Sequence, residues 1–169
     1  MIKHLLIPLD GSELAATAIP LAKSILAPDG KVTLLSVVQP LDTPVYDFYP
    51  VPMSLTRGYG DELKEASRYA QDYLEKIADN LRADGVKSVF IHIETGDPAV
   101  EIVAAAEKMH VDAIVMSTHG RSGFSRWLFG SVTQKVLSAA LCPILVVPGN
   151  QPAPMLEADT ARAGVPNVN

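Results

Sequence analysis

The segment between residues 117 and 133 combines residue types that could bind an anion. Three glycines in it, which allow the backbone to approach a ligand closely or to adopt a positive φ, are Gly120, Gly123 and Gly130. Gly130 and Ser131 directly precede a predicted helix, whose unpaired N–H groups and dipole attract negative charge. Arg121 adds positive charge, and Ser131 and Thr133 contribute hydroxyl donors. This pattern predicts a phosphate site that needs no lysine.

Structural roles could also explain some of these residues. Ser131 followed by Gln134 has the spacing of a capping box, which would account for Ser131 without a ligand. Asp10 is either a ligand contact or a solvated acid in the turn before a helix. His119 alone is more typical of a loop hydrogen bond than of catalysis, and Cys142 is expected to be a small buried hydrophobe.

The loop differs from the best-known phosphate-binding motifs. It lacks the Lys-Ser/Thr ending of a P-loop, and it is not a G-x-G-x-x-G sequence after a first strand. Neither a P-loop NTPase nor a Rossmann dehydrogenase is therefore indicated. No metal site is predicted, because the other histidines fall on separate elements without ligand spacing: His4, His92 and His110.

Charge is distributed unevenly along the chain. The formal net charge is −5, which argues against a nucleic-acid-binding surface. Residues 113–156 nevertheless contain no Asp or Glu, while Arg121, Arg126 and Lys135 lie inside that stretch. An anionic ligand is therefore expected in the last third of an acidic protein.

The elements that must position this segment alternate between strand and helix patterns. We predict strands over residues 2–8, 31–38, 86–94, 111–117 and 144–147. Predicted helices cover residues 13–25 (N-cap Ser12, kink at Pro20), 61–84 (stop at Gly85), 98–109 (N-cap Asp97) and 131–140. This alternation implies an α/β fold with a mostly parallel sheet and helices on both faces.

Two segments fall outside this pattern. Residues 39–60 contain four prolines and several aromatic residues, and we predict a long loop there. Residues 149–169 are expected to form a flexible tail after a single domain over residues 1–148. No apolar stretch approaches the length of a membrane span, the N-terminus lacks a signal-peptide pattern, and there is one cysteine, so a cytoplasmic location is expected.

The motifs resemble those of the ATP-binding universal stress proteins, whose signature is G-x₂-G-x₉-G-(S/T). Gly120, nine intervening residues, Gly130 and Ser131 match its second half, and Ser117 stands at its first glycine. The resemblance extends over residues 2–148. It includes Pro8-Leu9-Asp10-Gly11-Ser12, the Leu-Ser-Val-Val end of the second strand, Gly96-Asp97-Pro98, and the final strand from Cys142 to Val147.

The resemblance implies an open five-stranded parallel sheet of order 3-2-1-4-5, of the adenine nucleotide alpha hydrolase-like or Rossmann-like kind. It implies that Pro8, Leu9, Asp10 and the backbone of Val37 hold adenine and ribose, and that Met116 and Ser117 line the nucleoside. The implied phosphate contacts are His119, Gly120, Arg121, Gly130, Ser131, Val132 and Thr133. Mg²⁺ or Mn²⁺ would be carried on the phosphates of ATP.

Two functions follow from this comparison. The first is an ATP-binding, nucleotide-sensing homodimer in stress response, with slow hydrolysis at most because metal-holding carboxylates are missing. The dimer would form through the last strand, at Ile144, Leu145, Val146 and Val147. The second is a protein-interaction or dimer scaffold that binds no nucleotide, which Ser117 favours. Partners of the nucleic-acid or membrane kind are not expected.

Overall fold

The computed structural model describes residues 2–39, 53–118 and 130–148, with the side chains of residues 53–59 left undescribed. Its strands are β1 (Ile2–Pro8), β2 (Leu26–Val38), β3 (Ser88–Thr95), β4 (Ala113–Thr118) and β5 (Ile144–Pro148). Its helices are α1 (Glu13–Ala16), α2 (Ala18–Ile25), α3 (Met53–Ala83), α4 (Pro98–Lys108) and α5 (Ser131–Ala139).

The five strands form one sheet in the order β3-β2-β1-β4-β5, and every strand pair is parallel. The α/β class predicted from the sequence and the strand order implied by the resemblance are both confirmed. Strand β1 occupies the centre because its apolar run is buried on both faces: Leu5, Leu6 and Ile7 have no exposed surface. Strands β2 and β4 pair with β1 on its two opposite sides.

A separate apolar cluster covers each face of the sheet. On one face, Leu5, Ile7 and Leu34 pack with residues of α2 and α3 such as Leu74 and Ala78. On the other face, a second cluster joins the sheet to α4 and α5 through Leu6, Leu35, Ile114, Met116, Ile102 and Val136. Helices therefore lie on both faces, as a parallel sheet requires.

The first predicted helix is divided in two. Thr17 separates α1 from α2, so the single kinked helix predicted around Pro20 is wrong in detail. Proline has no N–H to donate to the carbonyl four residues earlier, and its ring crowds that carbonyl, which belongs to Ala16. The break therefore falls one turn before the proline rather than at it.

Two further boundaries differ from the prediction. Strand β2 begins at Leu26, because Ile2 pairs with Leu26 while His4 pairs with Lys31, and the intervening residues bulge out of register. Helix α3 begins at Met53, so the last part of the predicted loop over 39–60 is helical. Residues 40–52 of that loop, and the predicted tail over 149–169, lie outside the described residues.

Several turn predictions are confirmed. Gly85 follows α3 with a φ of +95°, a left-handed conformation that favours glycine. Asp97 caps α4 by accepting hydrogen bonds from Ala99 N and Val100 N, and Pro98 occupies the first helical position. Within the ranges given above, no helix is both long and apolar enough to cross a membrane.

Candidate functional site

A cleft of about 270 Å³ opens at the carboxyl ends of the strands. Strands β1 and β4 are neighbours in the sheet, and their connections leave toward opposite faces, so this is the switch point where ligands bind in open α/β sheets. The turn after β1 and the start of α5 meet across this cleft. Two loops that are more than 100 residues apart in the sequence are thereby placed together.

Ten of the thirteen predicted site residues line this single cleft. They are Pro8, Leu9, Asp10, Val37, Met116, Ser117, Gly130, Ser131, Val132 and Thr133. The other three, His119, Gly120 and Arg121, lie outside the described residues, as do Gly123 and Arg126.

Seven further lining residues were missed by sequence reasoning: Ser12, Leu14, Ala15, Leu35, Gln39, Pro98 and Ile102. Most are apolar residues that any α/β core would contain, so their types carry no functional signal. Gln39 is different, because it is two residues beyond Val37 and continues the strand alternation that places Leu35 and Val37 on one face. That alternation could have identified it.

Asp10 is held by a tight turn. Its Oδ1 accepts hydrogen bonds from Ser12 N at 2.9 Å and from Ser12 Oγ at 2.6 Å. Ser12 Oγ in turn accepts from Ala15 N at 3.0 Å, which caps α1 as predicted. Gly11 has a φ of +84°, so the turn requires a residue that tolerates the left-handed region. Asp10 is exposed and lines the cleft.

A buried phenol lies behind this turn. The hydroxyl of Tyr73, on α3, has no hydrogen-bond partner among the residues that the structure describes. Burial raises the pKa of Tyr73, and the negative charge of Asp10 raises it further.

The N-terminus of α5 faces the cleft without a side-chain cap. Gly130 is the N-cap residue, with φ −57° and ψ 155°, and no side chain caps the helix there. The predicted capping box is wrong, because Ser131 is the first helical residue and Gln134 N bonds to the carbonyl of Gly130 instead. A positive φ is likewise not the reason for glycine at position 130. The exposed hydroxyl of Ser131 is left available to a ligand.

The end of β4 lies against the same helix start. Gly130 N donates to Thr118 Oγ1, and Thr133 Oγ1 donates to the carbonyl of Ser117. Both donor–acceptor distances are 3.4 Å, which is long for a hydrogen bond. Thr133 is buried and Ser117 is half-buried. The two contacts are weak enough to be exchanged for bonds to a ligand.

A second helix, α4, also starts beside the cleft, and the positive end of its dipole is compensated by a carboxylate of the chain itself. The carboxylate of Asp97 caps α4 and also bonds to Lys135 Nζ, on α5, at 3.1 Å. The hydrogen bond from Lys135, with those from Val100 N and Ala99 N, holds the pKa of Asp97 below its usual value. Of these two helix N-termini, only that of α5 has N–H groups without a capping side chain among the residues that the structure describes.

The universal stress protein family model matches residues 1–148. This chain belongs to the universal stress protein family. Universal stress protein MJ0531 of Methanocaldococcus jannaschii is 36% identical over 156 residues, a match that covers 86% of this chain and 81% of that protein. The solved structure of protein MJ0577, from the same organism, superimposes with a TM-score of 0.69 at 30% identity, covering 88% of this chain and 96% of the other.

Two more distant members of the fold have been solved with ligands. A universal stress protein in complex with cAMP has a TM-score of 0.54 at 21% identity, covering 88% of this chain and 98% of the other. A family protein from Arabidopsis thaliana with AMP bound has a TM-score of 0.57 at 19% identity, covering 86% of this chain and 91% of the other. Both similarities support the assignment of the fold.

Proposed function

We propose that this universal stress protein binds an adenine nucleotide in the cleft, namely ATP with Mg²⁺ or Mn²⁺ carried on its phosphates. The observation that carries the proposal is the uncapped N-terminus of α5, which lies in the same cleft as the carboxylate of Asp10. The helix start attracts phosphate, and a carboxylate is an acceptor for ribose hydroxyls. One nucleotide could bind the start of α5 through its phosphates and Asp10 through its ribose.

Each predicted residue has a role in this arrangement. Pro8, Leu9 and the backbone of Val37 would hold the adenine, and Asp10 would accept from a ribose hydroxyl. Met116 and Ser117 would line the nucleoside. The phosphates would contact the first turn of α5 at Gly130, Ser131, Val132 and Thr133, together with His119, Gly120 and Arg121.

The ligand-bound relatives support an adenine nucleotide as the ligand class. One universal stress protein of this fold was solved with cAMP, and another family protein was solved with AMP. Their sequences are distant, so the proposal for this chain rests on its own cleft. The choice of ATP among adenine nucleotides comes from the motif around Gly130 and Ser131.

We infer a sensing role with slow hydrolysis at most. Efficient phosphoryl transfer needs carboxylates that hold metal ions and an oriented nucleophile. Among the described cleft residues the one carboxylate is that of Asp10, which is bonded to Ser12. The described ranges contain no group of three metal-ligating side chains, so a divalent ion would depend on the phosphates for its ligands. An ATPase rate far above background would contradict this inference.

The sensing unit is proposed to be a cytoplasmic homodimer formed through β5. This strand lies at the edge of the sheet, and its residues Ile144–Val147 are only half-buried. Leu141, just before it, is 86% exposed. An uncovered apolar edge favours pairing with a second copy. Light scattering coupled to gel filtration should give twice the chain mass, and a monomer would refute the dimer.

The decisive experiment combines two measurements on the wild-type protein. Mass spectrometry of small molecules released from freshly purified protein should detect an adenine nucleotide. Isothermal titration of nucleotide-free protein with ATP and Mg²⁺ should show micromolar affinity, equivalent to about −8 kcal/mol. No released nucleotide together with no titration heat would refute the proposal.

Ser117 favours a second candidate function. The family signature has glycine at this position, and the side chain of a serine there reduces the space beside a bound nucleotide. A scaffold that binds no nucleotide would tolerate that loss of space. The same two measurements discriminate between the candidates. A dimer that neither retains nor binds nucleotide would establish the scaffold.

A further inference from the structure

Strand β3 forms the edge of the sheet opposite β5. It pairs with β2 on one side, and no strand pairs with its other side among the residues that the structure describes. An unpaired edge leaves backbone N–H and C=O groups available to another strand. The edge also carries a large exposed side chain, since Phe90 is 55% exposed. These features favour contact with a partner at this edge.

Alternate residues of β3 direct their backbone groups toward the unpaired edge. Gly96 N donates to the carbonyl of Val38, on β2, at 3.1 Å, so even-numbered positions face β2 and odd-numbered positions face outward. Val89 fits this pattern, because its carbonyl accepts from Arg82 Nη2 at 3.0 Å rather than from β2. The first outward carbonyl is therefore already occupied, and an added strand has to bond further along.

The outward backbone groups that follow Val89 belong to Ile91 and Ile93, and they suit a second copy of the same strand. A two-fold axis through His92 places Ile91 opposite the partner's Ile93, and each such pair exchanges two hydrogen bonds. An axis through Ile91 would instead need the carbonyl of Val89, which Arg82 occupies. Isoleucine also faces isoleucine in this register, which is a favourable cross-strand pair.

His92 and Glu94 lie two residues apart and share one face of the strand. His92 Nε2 is 2.9 Å from Glu94 Oε1, and the two side chains are 37% and 32% exposed. Zinc binds imidazole nitrogen and carboxylate oxygen at about 2.0 to 2.2 Å in tetrahedral sites, where neighbouring ligand atoms are about 3.3 Å apart. A small rotation of either side chain would admit the ion. One chain thus supplies half of a tetrahedral ligand set.

We propose that two copies of this chain pair through β3 and bind one Zn²⁺ ion between them, with His92 and Glu94 of each copy as its four ligands. On the axis through His92, this residue faces the partner's His92 in a pair without backbone hydrogen bonds, where side chains come closest and the Cα atoms are about 4.5 Å apart. The described part of one chain contains no third metal-ligating side chain beside His92 and Glu94, so the partner has to complete the set.

The charges make this pairing depend on zinc. Each copy brings Glu94 close to the axis, so pairing without a metal ion places two carboxylates near each other, and they repel. A divalent cation neutralises both, while neutral imidazoles serve as the other ligands. The proposal is independent of nucleotide binding. It is also compatible with the proposed dimer through β5, because β3 and β5 are at opposite edges of the sheet.

The test compares the mass of the full-length, untagged protein in solution with and without zinc. After treatment with EDTA and dialysis, half a molar equivalent of ZnCl₂ should at least double the mass measured by light scattering, and EDTA should reverse the change. Titration calorimetry should give one zinc ion per two chains. An unchanged mass, or one zinc ion bound per single chain, would overturn the proposal.

Two variants and a matched control locate the site. His92→Thr keeps a residue type that suits a strand but removes the imidazole, so the increase in mass should be lost. Glu94→Gln keeps the shape of the side chain and should weaken zinc binding by at least about tenfold, because even loss of an outer-shell partner costs about 10- to 100-fold. His110→Asn removes an exposed histidine elsewhere and should behave as the wild type.

The variants also decide against the proposal if it is wrong. Association of His92→Thr with zinc to the wild-type extent would show that the ion binds at other residues. Circular dichroism verifies that each variant is folded. If His92→Thr does not fold, Glu94→Gln decides alone, and wild-type zinc affinity in that variant would overturn the assignment.

Discussion

The Lys135 ammonium lies 3.1 Å from the carboxylate of Asp97, which joins the second turn of α5 to the N-terminus of α4. The same carboxylate accepts from Ala99 N and Val100 N. Asp97 therefore compensates both the start of α4 and the lysine on α5. The only charge pair described beside the cleft is thus internally balanced, and an incoming phosphate gains nothing from Lys135 while the pair is intact.

The first prediction concerns this pair. Asp97→Asn keeps a good helix cap but removes the negative charge and releases Lys135. We expect ATP affinity in low salt to rise by about two- to fivefold, and the gain to shrink as salt screens the freed charge. Titration calorimetry at two salt concentrations measures this. Lys135→Met should not raise the affinity, and a fall in affinity for Asp97→Asn would refute the balanced-pair interpretation.

The second prediction tests the phosphate end of the cleft. Gly130 has φ and ψ values that any residue can adopt, and Asp is preferred over Gly at an N-cap, so Gly130→Asp should fold. Its carboxylate would occupy the N–H groups of α5 and repel phosphate. We expect ATP binding at pH 7 to weaken by roughly 100-fold or more, since like charges near a protein surface repel by several kcal/mol at contact distance.

Gly130→Asn is the matched control for that variant. It can cap the helix in the same way without a charge, so a smaller loss of affinity, roughly tenfold, is expected. The difference between the two variants measures the contribution of phosphate charge. If Gly130→Asp binds ATP with unchanged affinity and thermal melting shows that it is folded, the phosphates do not bind at the N-terminus of α5.

The sequence predicted the sheet more accurately than the helix boundaries, for a physical reason. Strands β1 and β4 are buried on both faces, so their apolar runs and the alternation with helices leave few other arrangements. The break at Thr17 and the early start of β2 depend on how Pro20 and the bulge before Lys31 fit against the rest of the protein. Local propensity does not contain that information.

The site residues likewise divide into those that the sequence could predict and those that it could not. Asp10, Ser117 and Gly130 follow strands or precede a helix, and the topology brings such positions to one edge of the sheet. Leu35 and Ile102 belong to the core and to the cleft at once, so their residue type cannot indicate a ligand. Ser131 was predicted as a possible cap because spacing alone cannot distinguish an N-cap from a first helical residue.

The third prediction concerns the turn that holds Asp10. Ser12→Ala removes the cap of α1 and the hydroxyl that bonds to Asp10 Oδ1. Chemical denaturation should show a loss of about 1 kcal/mol in unfolding free energy. ATP affinity should fall because the carboxylate of Asp10 then keeps only the hydrogen bond from the backbone N–H of residue 12. Ser24→Ala serves as the control, because Ser24 is exposed and its hydroxyl donates to the carbonyl of Leu21 within its own helix. It should change stability by less than about 0.5 kcal/mol.

The fourth prediction is a pH dependence of stability that originates far from the cleft. His4 is 6% exposed, its Nε2 is 2.9 Å from Thr33 Oγ1, and its Nδ1 is buried without a partner among the described residues. Burial lowers the pKa of His4 from its ordinary value of 6.5, and the charge of Lys31 lowers it further. The nearby carboxylate of Asp112 and the carbonyl of Met109 oppose this shift only in part.

The sign of the effect follows from linkage. Between the folded and unfolded pKa values of His4, the unfolded chain binds a proton that the folded protein does not, so stability falls as pH falls below 6.5. The slope cannot exceed about 1.4 kcal/mol per pH unit for one group. Asp112 acts in a lower window, because hydrogen bonds from His4 N and Lys3 N lower its pKa from 3.8 and protonation below that pH removes them.

Urea denaturation of the wild type and two variants between pH 7.5 and 5 would measure the contribution of His4. His4→Gln can keep a hydrogen bond to Thr33 but does not titrate, so it should lower stability at pH 7 and flatten the dependence on pH. His110→Asn is the control, because His110 is exposed and its φ of +49° is one that asparagine tolerates. It should retain the wild-type slope. Equal slopes in all three proteins would show that the acid sensitivity arises from groups other than His4.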